Sequence, residues 1–394
     1  MANVLVLDGD TRQALPIMRA LRSGGHRITV ACESRLGMGW LSRFPNRRVL
    51  VPSAEKAPEA FVRAVIDLVR RGHYDVTLPL FDLCAHLVAA HKSELEHYTR
   101  VPLPDLDVFM LARDKANTMR ICQERGVPCP RTWFPSTQAI DSIAAQATWP
   151  VLVKPRIAHG AMGIRRAYDA AGLAEAHAKS TQEYGPSIVQ EFIPQSDVQY
   201  KAQLFRDRDG SYKAGVVFNK LRYFPVTGGT SSANMTVERE DILRSCRRLL
   251  DAMNWTSYAD VDLIQDPRDG VAKVMEVNPR VTGSVKIAFV AGVDFSDLLV
   301  RFALGQPLPS YERYRLGVTM RYLPLDILWF LYSPDRFRAK PSWFKFFGRD
   351  LCEQVFTLDD PAPFLGLALG GIGQLLSPKV RAAKLIKAGS DEPR

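Results

Sequence analysis

Lys273-Val274-Met275-Glu276-Val277-Asn278-Pro279-Arg280, running on into Val281-Thr282-Gly283-Ser284, carries the strongest local pattern of this 394-residue chain. Val274, Met275 and Val277 favour a strand, and on a strand Glu276 and Asn278, two apart, share a face. Asp260-Val261-Asp262-Leu263-Ile264-Gln265 precedes it across a polar loop that turns at Gly270, so the two segments read as a hairpin. Asp262 can point to the face of Glu276 and Asn278. Two carboxylates and an amide oxygen make a hard, oxygen-only set, suited to Mg²⁺ held together with nucleotide phosphates and ill suited to zinc. Arg280 stands just beyond, where its guanidinium can meet a transferring phosphoryl group. An ordinary solvent-facing hairpin carries the same residues.

Working outward, Val151-Leu152-Val153-Lys154-Pro155 reads as a buried strand ending in a lysine, followed by the small-residue loop His159-Gly160-Ala161-Met162-Gly163. Such a loop can set an ammonium and backbone N–H groups against phosphates. Next comes an apolar strand that ends at a chain reversal, Ile188-Val189-Gln190-Glu191-Phe192-Ile193-Pro194. Asp197, Gln199, Lys201 and Gln203 then alternate with Val198, Tyr200, Ala202 and Leu204, which an exposed antiparallel face would also explain. Between these pieces and the hairpin, the Gly-, Thr- and Ser-rich turn from Asn219 to Ser232 offers donors for a carboxylate or phosphate, with Lys220 and Arg222 as counter-charges. A basic surface loop is the other reading. Ser231 has no histidine partner indicated and does not read as a nucleophile.

The first third alternates strand and helix: a strand over Asn3 to Leu7, a helix over Thr11 to Ser23, strands over Arg27 to Cys32 and Val76 to Leu80. This is an open α/β beginning, and its carboxyl-end rim gathers Asp8, Glu33 and Asp82. The first turn, Asp8-Gly9-Asp10-Thr11, is not a dinucleotide fingerprint, since its carboxylates would repel a pyrophosphate. Asp8 and Asp10 either shape that turn or meet substrate. Pro102-Leu103-Pro104-Asp105-Leu106-Asp107 marks a boundary, and one helix is expected from Val108 to Arg125, stopped by Gly126.

Taken in order, the lysine, the Gly-rich loop, the Gln190-Glu191-Phe192-Ile193 hinge and the Glu276-Val277-Asn278-Pro279-Arg280 strand resemble the ATP-grasp superfamily of carboxylate-amine ligases, with a domain like that of carbamoyl-phosphate synthase. The resemblance covers roughly residues 1 to 325. It implies a fold that is α/β and α+β: a pre-ATP-grasp α/β domain over 1–107, then an ATP-grasp domain over 108–325 with a small lid at about 149–188 and a larger antiparallel-sheet subdomain. Residues 326–394 are left as a C-terminal aromatic and basic extension. By resemblance, Lys115 and Lys154 hold the α- and β-phosphates, and His159, Gly160 and Gly163 belong to the loop over the triphosphate. The hinge at Gln190, Glu191 and Ile193 meets adenine, and Asp197 takes the ribose. Asp262, Glu276 and Asn278 match the Mg²⁺ ligands, where Mn²⁺ would also fit, and Arg280, Arg222 and Lys220 are the catalytic candidates. The sequence departs from the pattern in having Gln195 for the usual glycine and Asp197 for the usual glutamate. The implied chemistry is a carboxylate activated by ATP as an acyl phosphate and captured by an amine. A carboxylase acting on bicarbonate and a non-catalytic nucleotide-binding regulator are the alternatives.

Composition agrees with a folded enzyme: 46% hydrophobic and 24% charged residues. The net charge, 52 − 42 = +10, favours anionic partners, but no aromatic-basic nucleic-acid module accompanies it. Six scattered cysteines without a Cys-x-x-Cys pair, no His-Glu-x-x-His spacing, and neither a leader-like start nor a span-length apolar run lead to a cytoplasmic expectation. Residues 336–349 carry Arg336, Arg338, Lys340, Lys345 and Arg349 with no acid, interleaved with Phe337, Trp343, Phe344, Phe346 and Phe347. That mix suits packing on the body or on the second copy of a homodimer, and it also suits a membrane surface or a lipid-linked anionic substrate.

Overall fold

The computed structural model describes residues 1–158, 162–194, 198–226 and 229–367. The chain opens with β1 (Asn3–Val6), α1 (Ala14–Ser23), β2 (Arg27–Cys32), α2 (Met38–Leu41), β3 (Arg47–Leu50), α3 (Pro58–Gly72), β4 (Val76–Leu78), α4 (Asp82–Ala90) and α5 (Lys92–Leu95). The four strands form a parallel sheet in the order β3-β2-β1-β4. Val4, Leu5 and Val6 are fully buried because helices cover both faces, as parallel sheets require. Asp8 takes part in the turn after β1, where its carbonyl accepts from Thr11. Its Oδ2 accepts the backbone N–H groups of Leu80 and Phe81, both at 2.9 Å, and so ties the end of β1 to the chain just beyond β4. Burial raises the pKa of this carboxyl, against those hydrogen bonds.

The helix expected over 108 to 125 is two helices, α6 (Leu106–Arg113) and α7 (Lys115–Arg125). Asp114 is the reason: its extended backbone ends α6, and its side chain caps α7 by accepting from the N–H of Ala116 at 2.9 Å. Arg156 grips the same carboxylate from the next segment, with Nε 3.0 Å from each oxygen. Next come β5 (Thr132–Trp133), α8 (Ile140–Gln146), β6 (Val151–Pro155), β7 (Arg165–Ala167), α9 (Ala170–Tyr184) and β8 (Ser187–Glu191). They build a small sheet in the order β5-β8-β6-β7 over a core of its own that includes Val151, Val153, Leu173 and Val189.

A second and larger sheet follows, from β9 (Gln199–Arg206), β10 (Tyr212–Phe224), β11 (Thr230–Thr236), α10 (Glu240–Ala252), β12 (Ser257–Gln265), β13 (Ala272–Asn278), the 3₁₀ turn Gly283–Val285, α11 (Lys286–Val290), α12 (Phe295–Ala303), β14 (Thr319–Arg321), α13 (Leu323–Tyr332) and β15 (Leu351–Glu353). Its order is β13-β12-β9-β10-β11-β14-β15, antiparallel except for the last pair. The expected lone loop from Asn219 to Ser232 is thus mostly two paired strands, β10 and β11.

The chain beyond residue 325 is built into this body. β15 is the seventh strand of the large sheet, and α13 buries Asp326 under β10 and β11. Trp343 and Phe346 pack on the body, with Arg321 over their rings at 5.2 and 4.6 Å, whereas Phe337 and Phe347 stay exposed at 72% and 91%. Among the described residues no helix is long and apolar enough to cross a membrane.

Candidate functional site

In the register of the hairpin, Asp262 faces Glu276 and Asp260 faces Asn278, so the strand period puts all four on one side of the sheet. The neighbouring strand adds Lys201 opposite Asp262 and Gln203 opposite Asp260. The polar stripe of β9 is therefore covered rather than solvent-facing: Gln199 and Gln203 are buried, as are Asp260 and Asp262. Lys201 Nζ lies 2.6 Å from Asp260 Oδ1 and 2.9 Å from Asp262 Oδ2, and Lys220 Nζ lies 2.7 Å from Asp262 Oδ1. Burial alone would raise the pKa of Asp262, but Lys201 and Lys220 hold it well below the usual carboxylate range. Burial likewise opposes the charge of Lys201, and Asp260 and Asp262 push its pKa above the usual lysine range.

Asn278 spends its amide hydrogens on Asp262 Oδ2 at 2.9 Å and on Asp260. Its oxygen is the atom left for a cation. Asp260 is instead locked inward by Gln203 and Thr282, at 3.2 and 2.7 Å, which makes it the structural member of the four. Among the described residues no three His, Cys, Asp or Glu side chains converge as a metal cage. A donor set of Asp262, Glu276 and Asn278 fits a hard cation shared with phosphates, which takes only one or two carboxylates from the protein. The ammonium groups on Asp262 and Glu276 show the electrostatic demand for positive charge there.

Lys115, the first residue of α7, reaches this face: its Nζ is 3.2 Å from Glu276 Oε2 and donates to the carbonyl of Ala158 at 2.7 Å. Lys154, at the end of β6, is buried and donates to Gln190 Oε1 at 2.5 Å. Gln190 in turn donates to Thr132 Oγ1 at 2.9 Å, so it orients the lysine rather than waiting free for a ligand. Burial pushes the Lys154 ammonium down to about 8, with Glu276 opposing and Lys115 adding to the fall. Anion binding at Lys154 needs the cation. Nucleotide affinity is therefore expected to hold below pH 8 and to fall about tenfold per unit above it, with Lys154→Met flattening the profile. Calorimetric titration with Mg-ADP between pH 7 and 9.5 measures this, and a flat wild-type profile would remove Lys154 from the phosphates.

The hinge follows at the end of β8. The Glu191 carboxylate accepts the N–H of Arg131 at 2.9 Å and faces Arg268 at 3.2 Å, while Ile193 is buried. Gly163 has a steric reason of its own, with φ +70° and a Cβ position 2.7 Å from Pro155 Cγ. His159, Gly160 and Asp197 lie outside the described residues.

Arg280, at the end of β13, donates Nη2 to Asp82 Oδ2 at 2.6 Å and so joins the hairpin to the first residue of α4. Arg222 is elsewhere. β-Bulges bracket it on β10 and β11, and its Nε and Nη2 bind Asp326 at 2.7 and 3.1 Å while Nη1 meets the carbonyl of Pro341. Lys220 is in the site and Arg222 is in a buried tie to α13. Sequence reasoning passed over Lys201 as a site residue, although the alternation of β9 placed it on the right face. Nothing local pointed to the Asp82–Arg280 bond, which spans 198 residues.

Lysines from two elements are set against an oxygen-rich hairpin face, an arrangement with the charge and the donors for a polyphosphate and a hard cation. Residues 112–284 match the family model for an ATP-grasp domain. The D-aspartate ligase of Enterococcus faecium is 24% identical over 258 residues, which cover 59% of this chain and 60% of that protein. The chain thus spans 60% of this curated relative's length, less than two thirds of it. The biotin carboxylase of Campylobacter jejuni, solved as its beta-gamma-ATP complex, superposes with a TM-score of 0.67 at 15% identity, over 81% of this chain and 74% of that one. The L-amino acid ligase of Bacillus licheniformis does so with a TM-score of 0.62 at 18% identity, over 81% and 78%. These likenesses establish the fold.

Proposed function

We propose that this protein is an ATP-dependent carboxylate–amine ligase, which activates a substrate carboxylate as an acyl phosphate and couples it to an amine with release of ADP and phosphate. The observation that carries the reading is the meeting of Lys115 with Glu276 at 3.2 Å, on the face shared by Asp262 and Asn278. The D-aspartate ligase and L-amino acid ligase likenesses support the C–N class.

Lys115 and Lys154 hold the α- and β-phosphates, and the end of β8 receives the adenine. Asp262, Glu276 and Asn278 would hold Mg²⁺, which when bound neutralises charge on the phosphates and polarises the transferring group. Arg280, fixed by Asp82, meets the γ-phosphoryl group as the substrate carboxylate oxygen attacks it in line and ADP leaves. Lys220 and Lys201 balance the charge of Asp262 behind this centre. The amine then attacks the acyl carbon and phosphate departs. Closure over the site excludes the water that would hydrolyse the acyl phosphate.

ADP release from Mg-ATP across a matrix of carboxylates and amines, with mass detection of products and a separate bicarbonate arm, tests the proposal. Release that needs both an organic acid and an amine, with an amide mass, is the expected result. Release with bicarbonate alone replaces the ligase by a carboxylase, and no release with any pair leaves the nucleotide-binding regulator.

A further inference from the structure

Arg12 sits in the first turn after β1, on the rim where open α/β sheets take their ligands. Its guanidinium lies 4.2 Å over the ring of Tyr322 and donates to Gln354 Oε1 at 3.2 Å. It also packs on the turn that follows Arg280: a Cβ built on Gly283 would stand 3.5 Å from Arg12 Nη2 and 2.9 Å from Gln354 Nε2. Three separated segments, after β1, after β13 and at β14–β15, thus come together around one guanidinium.

Its charge has no direct answer. Among the described residues no carboxylate forms an ion pair with Arg12. Glu353, the acid whose field reaches it, spends its oxygens on the backbone N–H groups of Leu323, Val355 and Phe356. The nearby Arg280 adds a second positive field; its Nη2 is bonded to Asp82, while its buried Nε has no hydrogen-bond partner. Burial of Arg12 works first against its charge, Tyr322 and Glu353 favour it, and Arg280 works against it again. A guanidinium without a counter-ion at a partly buried junction is costly unless something supplies the negative charge. A planar guanidinium matches a carboxylate or a phosphoryl group.

We propose that Arg12 binds an oxyanion group of the substrate, carboxylate or phosphoryl, at the junction of the parallel sheet with the ends of β13 and β15. The subsite deepens the ligase reading, on which it rests for the identity of its ligand as a substrate. It gives Gly283 a role, since a side chain there would press on Gln354, which accepts from the guanidinium.

The full chain, saturated with Mg-ADP to fill the nucleotide's own phosphate positions, is titrated calorimetrically with malonate and with inorganic phosphate. Wild type, Arg12→Lys and Arg12→Gln are compared, with thermal melting and Mg-ADP affinity measured on each. The wild type is expected to bind at least one of the two anions, Arg12→Gln to lose about tenfold or more in that affinity and Arg12→Lys to lose less, with Mg-ADP affinity unchanged in all three. Which anion binds tells carboxylate from phosphoryl. A wild type that binds neither, or an Arg12→Gln that melts earlier yet binds the anion as wild type does, overturns the subsite and leaves Arg12 a tie between segments. If Mg-ADP itself fails to bind while the anion still binds through Arg12, the ligase reading falls and the anion site stands.

Discussion

Glu276→Ala abolishes ADP release while the chain remains folded; this is the largest effect expected of any single change. Glu276 shares the site face with Asp262 and Asn278, pairs with Lys115 there, and its side chain is one third exposed. Removing it strips the cation of a ligand and Lys115 of its ion pair, although Lys115 keeps the carbonyl of Ala158 at 2.7 Å. A charge-stabilising group at a phosphoryl-transfer centre contributes several kcal/mol in the transition state, so a loss of roughly 10³-fold or more in kcat/KM is expected. Stability should move little, about 0.5 kcal/mol, because the residue is not core. Glu276→Gln should fall in the same direction, since an amide cannot supply the charge. A coupled ADP assay beside a melting curve measures both, and normal turnover in either variant would remove Glu276 from the metal.

Asp326→Ala has the largest expected effect on stability. Fully buried Asp326 answers two guanidiniums at once, Arg222 through Nε and Nη2 and Arg321 through Nε at 2.7 Å, and it accepts from Ser232 as well. Truncation leaves two buried cations without a counter-ion, at a cost of about 3–5 kcal/mol. The same geometry separates the two readings of Arg222. As part of the tie, Arg222→Met should lower the melting temperature and leave kcat/KM per folded molecule near wild type. Unchanged melting with lost turnover would return Arg222 to the substrate. Denaturation followed by circular dichroism, with activity corrected for the folded fraction, decides between them.

The hairpin was legible because its information is local: a period-2 pattern, a polar turn and hard oxygen donors spaced two apart. The strand positions of Lys154 and Gln190 were legible for the same reason, each lying near the end of an apolar strand. The division of labour between Asp260 and Asp262 was not, because both sit on one face and only Thr282 and Gln203 turn the first of them inward. Asp114 broke an expected helix through a cap that competes with continuation, and the bond to Arg156 that rewards the break comes from 42 residues away. Arg222 misled because bulges on both strands of its hairpin re-aim the side chain, and bulges leave no fixed mark in sequence. Asp82, Arg12 and Gln354 join the site through contacts between distant segments, which spacing cannot reveal.

In the proposed reaction a substrate carboxylate is phosphorylated on this sheet face. Once the substrate matrix supplies an acid and an amine, the acid is prepared with ¹⁸O in its carboxylate and the released phosphate is examined by mass spectrometry. Attack of the carboxylate on the γ-phosphoryl group, followed by displacement by the amine, leaves one carboxylate oxygen in the phosphate, so phosphate carrying a single ¹⁸O is the expected product, and Glu276→Ala yields none. Phosphate free of ¹⁸O, formed alongside the amide, would contradict the acyl phosphate and with it the assignment of this face.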